Sequence, residues 1–162
     1  RLGIPVPRVI EVGTDEIRME MVEGVQLKEA LGHLPAQELE EACSRVGEIA
    51  GLLHAGGIAH GDLTTANLLL APSPGPLGRL GQAASAKVVL LDFGLSRASS
   101  RTEDHAIDLF LLRECLKAGH PGLEQQAWEA IEKAYKRKYP KANQVLAQLR
   151  TIEQRRRYKH EG

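Results

Sequence analysis

The sequence predicts an α+β fold, mainly helical with short strands, and three observations carry that expectation. From Ala36 to His54, apolar residues at Leu39, Ala42, Val46, Ile49, Leu52 and Leu53 recur every three or four positions, the period of an amphipathic helix, and Gly56-Gly57 closes it. The stretches 123–135 and 143–156 repeat the period, with Trp128 and Ile131 on one stripe and Val145, Leu146 and Leu149 on another. Against these stand only short strand-like runs at Val6–Val12, Ile17–Met21, Leu68–Leu70 and Val88–Leu91.

Taken in order, the first two runs form strands joined by the turn Gly13-Thr14-Asp15, and Glu20–Gly24 leads as a hinge into a short helix near Gln26–Leu31. The stretch 71–86, APSPGPLGRLGQAASA, has no hydrophobic period and reads as a flexible surface insertion between two strands. Helical pattern resumes around Ile107, Phe110 and Leu111, and Trp128 belongs to the core. At 162 residues and 43% hydrophobic content the chain suits one domain with an ordinary core. No secretory signal and no apolar run approaching roughly 20 residues is present, so no membrane partner is expected. Cys43 and Cys115 sit in helical patterns without metal-ligand spacing and read as free thiols; the six histidines form no ligand pattern.

Net charge is zero but unevenly spread: residues 1–132 hold 11 Lys or Arg against 19 Asp or Glu, and residues 133–162 hold 10 against 2. A basic tail on an acidic body points to an anionic partner, or else to a solvated helix end.

The chemistry lies in His60–Asn67, HGDLTTAN, and in Asp92-Phe93-Gly94 preceded by an apolar run. The order loop, strand, connection, strand, acidic loop, with H-x-D-x-x-x-x-N spacing, is that of a kinase catalytic apparatus. Phosphoryl transfer asks a protein mainly to position a nucleophile and to neutralise metal-bound phosphate. Asp62 would take the proton of the attacking hydroxyl, and Asn67 and Asp92 would hold Mg²⁺ with ATP, since oxygen donors suit that ion. Only about fifteen residues separate Asp92 from the next helix and no A-P-E triplet follows, so a peptide-docking platform is largely missing. Asp108 is placed to point from that helix to the backbone of the catalytic loop, or else serves as a first-turn carboxylate. Gly61 stands where regulated kinases carry Arg, which removes the partner of an activation-segment phosphate.

The strings HGDLTTANLLL, LLDFGLS, EDHAIDLFLLREC and RRRYK resemble the small atypical kinase of the KEOPS complex, the PRPK family, over essentially the whole chain. The resemblance implies a protein-kinase-like C-lobe: residues 1–24 as the last N-lobe strands and hinge, 25–150 as the lobe with its insertion at 71–86, and 151–162 as a basic tail. It implies Mg-ATP-dependent serine/threonine kinase or ATPase activity in the service of threonylcarbamoyladenosine at position 37 of tRNA, in cytoplasm and nucleus. The family's base maps onto Asp62 and its metal ligands onto Asn67 and Asp92. Its hinge maps onto Glu20, Met21, Val22 and Glu23, and its adenine-facing apolar residue onto Leu69. Arg155, Arg156, Arg157 and Lys159 become a tail for tRNA or complex function, and the implied partners are KEOPS subunits, chiefly the metal-dependent transferase on the C-lobe. No Gly-rich loop, strand lysine or helix glutamate precedes the hinge, so the N-lobe reads as almost entirely missing and weak turnover by the chain alone is expected.

Two rivals follow. A small-molecule phosphotransferase of the aminoglycoside or choline type shares HGD and the Asn, but usually has a second acid where Phe93-Gly94 stand. A non-catalytic scaffold of the same complex would have no need for Asp62, Asn67 and Asp92 together.

Overall fold

A computed structural model describes residues 2–72 and 87–160, with side chains through Arg156. It begins with an antiparallel hairpin of β1 (Val9–Val12) and β2 (Ile17–Met19), closed where the Gly13 N–H meets the Glu16 carbonyl at 2.8 Å. The first strand is shorter than its apolar run because Pro5 and Pro7 carry no N–H to donate. The Pro5 carbonyl instead accepts the Leu90 N–H at 2.9 Å. Strand β2 likewise stops before Met21, although Glu20 still donates to the Arg8 carbonyl at 2.9 Å. The apolar side chains of this hairpin are exposed.

After residues 20–24 come β3 (Val25–Gln26), α1 (Leu27–Ala30) and a 3-10 turn over Leu31–His33. The expected long helix is α2 (Ala36–Ala55), followed by β4 (Ile58–Ala59), a 3-10 turn at Thr65–Asn67, and the pair β5 (Leu68–Ala71) and β6 (Lys87–Leu90). Then come β7 (Arg97–Ala98), α3 (Thr102–Gly119), α4 (Glu124–Lys138) and α5 (Ala142–His160). The strand expected at Val88–Leu91 starts and ends one residue earlier, because the Leu91 N–H turns to the Asn67 carbonyl. The insertion, apart from Ala71 and Pro72, lies outside the described residues, as do the side chains of Arg157 and Lys159.

Strands β3, β5 and β6 form an antiparallel sheet in which Leu68 faces Leu90, Leu69 faces Val89 and Ala71 faces Lys87. Alternation along a strand sends Leu68, Leu70, Val88 and Leu90 to one face, where they join the core, and Leu69, Ala71, Lys87 and Val89 to the other. The core is mostly helical. Helices α2 and α4 approach so closely that a Cβ on Gly47 would lie 2.2 Å from the Ile131 carbonyl oxygen. That contact is why a helix-weakening residue sits in mid-helix. Trp128 is buried, as expected, with the Arg113 guanidinium 5.0 Å over its ring. Cys43 is a buried free thiol whose pKa burial pushes up to about 12, and burial also raises that of half-buried Cys115. No helix among the described residues is long and apolar enough to cross a membrane.

Candidate active site

The loop between β4 and β5 is fixed at its start by an acid from a helix. Asp108, buried in the second turn of α3, accepts the His60 N–H at 2.6 Å and the Gly61 N–H at 2.8 Å. The sequence left Asp108 open between this role and a helix-end carboxylate; its two backbone bonds decide for the first. Burial alone would raise its pKa, but the hydrogen bonds from His54, His60 and Gly61 outweigh that and hold the carboxyl below its ordinary range.

Gly61 has φ +84°, and a Cβ there would lie 2.3 Å from the Leu95 carbonyl oxygen. A side chain is excluded on both counts, so an arginine cannot occupy this position without moving the segment after Asp92.

Asn67 ties the loop back on itself: its Nδ2 donates to the Asp62 carbonyl at 2.9 Å and to Asp62 Oδ2 at 2.8 Å. With the nitrogen turned to two acceptors, the amide oxygen of Asn67 is left as a donor atom for a cation. The Leu91 N–H donates to the Asn67 carbonyl at 2.9 Å and His60 Nε2 donates to the Leu91 carbonyl at 3.0 Å. Asp92, the next residue, is thereby attached to the loop that carries Asp62. Asp92 has φ +55°, a left-handed conformation that Asp tolerates better than most residues, and its Oδ1 accepts the Gly94 N–H at 3.1 Å. Phe93 packs on the His60 ring at 5.0 Å. Asp62, Asp92 and Asn67 carry two carboxylates and one amide oxygen, hard donors of the kind Mg²⁺ takes in small number.

A cleft of ≈ 480 Å³ opens beside the hinge, lined by Glu20, Met21, Val22 and Glu23 with Ala71, Lys87 and Val89 among its other walls. The structure thus brings the four hinge residues to one cavity. The Glu20 carboxylate is turned to the Arg8 N–H at 3.0 Å and braces the hairpin. Leu69 is not among the lining residues but shares a sheet face with Val89 and Ala71.

The segment leaving Asp92 is short and fastened. Arg97 pairs with Asp104 at 2.8 Å, Ser99 Oγ donates to the other Asp104 oxygen at 2.6 Å, and β7 pairs with β4. The Arg97 guanidinium and the Ser99 hydroxyl hold the Asp104 carboxyl below the usual range.

Of the tail, Arg155 and Arg156 are both exposed, and Arg156 also lies 3.1 Å from Glu114 and over the Phe110 ring at 5.3 Å. At that exposure the pair is a screened surface contact, and the Arg156 charge stays accessible. The sequence reading missed His54, His105, Tyr135 and Tyr139, which meet around Asp108. Tyr135 and Tyr139 stand one helical turn apart, a spacing that marks a shared face, but nothing along the chain pairs them with histidines 81 and 34 residues away.

A loop joining two strands, an acid-bearing turn after the second and a helical lobe beneath them define a kinase-like protein. The model of the lipopolysaccharide kinase (Kdo/WaaP) family matches residues 1–135, and the chain belongs to that family. A solved structure of WaaP in complex with acyl carrier protein superposes with a TM-score of 0.72 over 98% of this chain and 70% of that one, at 18% identity, which shows the shared fold.

Within that class the chain belongs to the Bud32 family. It is 37% identical over 161 residues to the KEOPS complex subunit Bud32 of Pyrococcus abyssi, covering 97% of this chain and 67% of that protein. It is 34% identical to the EKC/KEOPS complex subunit BUD32 of Chaetomium globosum, with the same coverage of each chain. A probable bifunctional tRNA threonylcarbamoyladenosine biosynthesis protein of Methanosarcina acetivorans is 34% identical over 98% of this chain and 25% of its own length. The chain thus spans about two thirds of the length of its Bud32 relatives.

Proposed function

We propose that this chain is the kinase subunit of a KEOPS-type complex, binding Mg-ATP and transferring or hydrolysing its terminal phosphate in support of tRNA threonylcarbamoyladenosine formation. The observation that carries the reading is the closure of the loop on itself, with Asn67 held on Asp62 at 2.8 Å and Asp92 attached through Leu91. Asp62 takes up the proton of the attacking hydroxyl or water. Asn67 and Asp92 hold the metal, and Glu20–Glu23 with Leu69 form the adenine side of the site. Bound Mg²⁺ supplies charge neutralisation at the phosphates. The segment that would dock a peptide is short and pinned to α3 and β4.

The metal-dependent transferase subunit is the expected partner on the helical lobe. Arg155, Arg156, Arg157 and Lys159 are the tail residues proposed to meet tRNA, Arg156 by exchanging its exposed pairing with Glu114 for phosphate. The soluble compartments of tRNA modification, cytoplasm and nucleus, are the corresponding location.

ATP turnover is measured on Asp62→Asn and Asp92→Asn variants, the second keeping a residue that tolerates positive φ. A loss of about 100-fold or more with an unchanged melting profile is expected. Threonylcarbamoyladenosine formation that survives Asp92→Asn in a reconstituted complex would leave the scaffold reading standing instead. Phosphate transfer to a hydroxylated sugar but to no protein would favour a small-molecule acceptor.

A further inference from the structure

Two tyrosine–histidine pairs lie side by side in the core, and phosphoryl transfer at Asp62 does not itself use them. Tyr135 Oη donates to His54 Nδ1 at 2.8 Å, and His54 Nε2 donates to Asp108 Oδ2 at 3.1 Å. Tyr139 Oη donates to His105 Nδ1 at 3.1 Å, and His105 Nε2 donates to the Ser99 carbonyl at 2.9 Å. The tautomers follow from the acceptors: a carboxylate and a carbonyl each require the proton on Nε2, which leaves Nδ1 to accept from the phenol. Both imidazoles are buried, and burial holds them below their ordinary pKa, so they stack as neutral rings. Their centroids are 4.1 Å apart and their planes differ by 5°.

The two chains of hydrogen bonds end on the two segments that carry the candidate site. The first ends on Asp108 and, through it, on the amides of His60 and Gly61, immediately before Asp62. The second ends on Ser99, in the segment leaving Asp92, whose own N–H donates to the Gly57 carbonyl at 2.8 Å just ahead of the catalytic loop. A core assembled for volume alone would use apolar side chains here. Four buried polar groups are tolerated only where each keeps its partner, and that condition selects a single geometry.

We propose that Tyr135–His54 and Tyr139–His105 are two coupled positioning relays, stacked through their imidazoles, that hold the loop of Asp62 and the segment leaving Asp92 in one mutual register. Its catalytic consequence rests on the phosphoryl-transfer reading; its geometric content does not.

The test uses Tyr135→Phe, Tyr139→Phe and the double variant in the full 162-residue chain, each keeping the aromatic ring. Long-range proton–nitrogen NMR reports the tautomers, hydrogen exchange reports the amides of His60, Gly61 and Ser99, and steady-state kinetics reports kcat and KM for ATP. Both histidines are expected as neutral Nε2–H tautomers. Tyr135→Phe should speed Gly61 exchange by about 10-fold and lower kcat by about 10-fold, with KM for ATP within about two-fold, since the hinge cleft is untouched. Tyr139→Phe should act likewise on Ser99 and also move the His54 resonances across the stack. The double variant should fall short of the product of the single effects.

Either histidine found as the Nδ1–H tautomer, or single effects that multiply independently, overturns the coupling. Equal changes in kcat and KM overturn the positioning role. Should neither the chain alone nor the reconstituted complex turn over ATP, the phosphoryl-transfer reading fails while tautomers and exchange still decide the relays.

Discussion

Replacing Asp108 by Asn is the sharpest probe of how the loop of His60–Asn67 is held. The carboxylate accepts three hydrogen bonds: Oδ2 takes the His60 amide at 2.6 Å and His54 Nε2 at 3.1 Å, and Oδ1 takes the Gly61 amide at 2.8 Å. An Asn amide has one acceptor oxygen. With that oxygen at the Oδ2 position, the side-chain NH₂ faces the Gly61 N–H donor to donor; turned over, it faces two donors. The better orientation still loses one charge-assisted bond and weakens two, at a buried site. Such a bond contributes about 1.5–3 kcal/mol and an unsatisfied buried donor costs about 1–3 kcal/mol, so a destabilisation of about 3 kcal/mol is expected. In a chain of this length that corresponds to a fall of about 6–12 °C in Tm. Urea titration at pH 7 measures it, and hydrogen exchange at Gly61 places it in the loop. Because the Asp108 carboxyl is held below its ordinary pKa, its contribution is present above the unfolded value near 3.8 and disappears as pH falls through the folded one. The gap between parent and variant therefore narrows in acid. A loss under about 1 kcal/mol with Gly61 still protected would refute the reasoning.

Three further outcomes follow from other contacts. Gly61→Ala places a Cβ 2.3 Å from the Leu95 carbonyl oxygen at φ +84°, and should cost about 2–4 kcal/mol by chemical denaturation while loosening the segment after Asp92; full stability would show that this segment is free to shift. Gly47→Ala pushes a methyl toward the Ile131 carbonyl oxygen at 2.2 Å, so it should lower stability by about 1–3 kcal/mol despite the better helix propensity of Ala, and a gain in Tm would contradict the close packing of α2 on α4. His54 and His105 are held below the ordinary value of 6.5, by burial foremost, so below about pH 6.5 the unfolded chain binds protons that the native chain refuses. Stability should be flat in this respect above pH 6.5 and fall below it, by about 1.4 kcal/mol per pH unit for each histidine, down to the lowered native values; a flat denaturation midpoint from pH 7 to 5 would contradict neutral burial.

The helices and the four longer strands were legible from local pattern, whereas the two-residue strands β3, β4 and β7 were not, because pairing with remote segments alone defines them. Apolar residues at intervals of three and four made α2, α4 and α5 visible, and Asp62, Asn67 and Asp92 stood out because loop chemistry needs those residue types at short, fixed spacing. Strand ends were less legible: Leu91 left its strand for the Asn67 carbonyl, a partner that no local rule names. The contacts of Arg156 with Glu114 and Phe110 of a different helix were equally invisible along the chain.

What the chain by itself determined was the list of groups available for chemistry and the elements that carry them, since periodicity, turn residues and motif spacing are properties of neighbours. Tertiary structure decided how those groups are held. Only the approach of α3 to the loop showed that Asp108 secures two amides, and only the contact with Leu95 showed why position 61 must lack a side chain. The stacking of His54 on His105 joins residues from helices α2 and α3. Such pairings depend on distances between segments remote along the chain, and those distances come into being only when the helices pack.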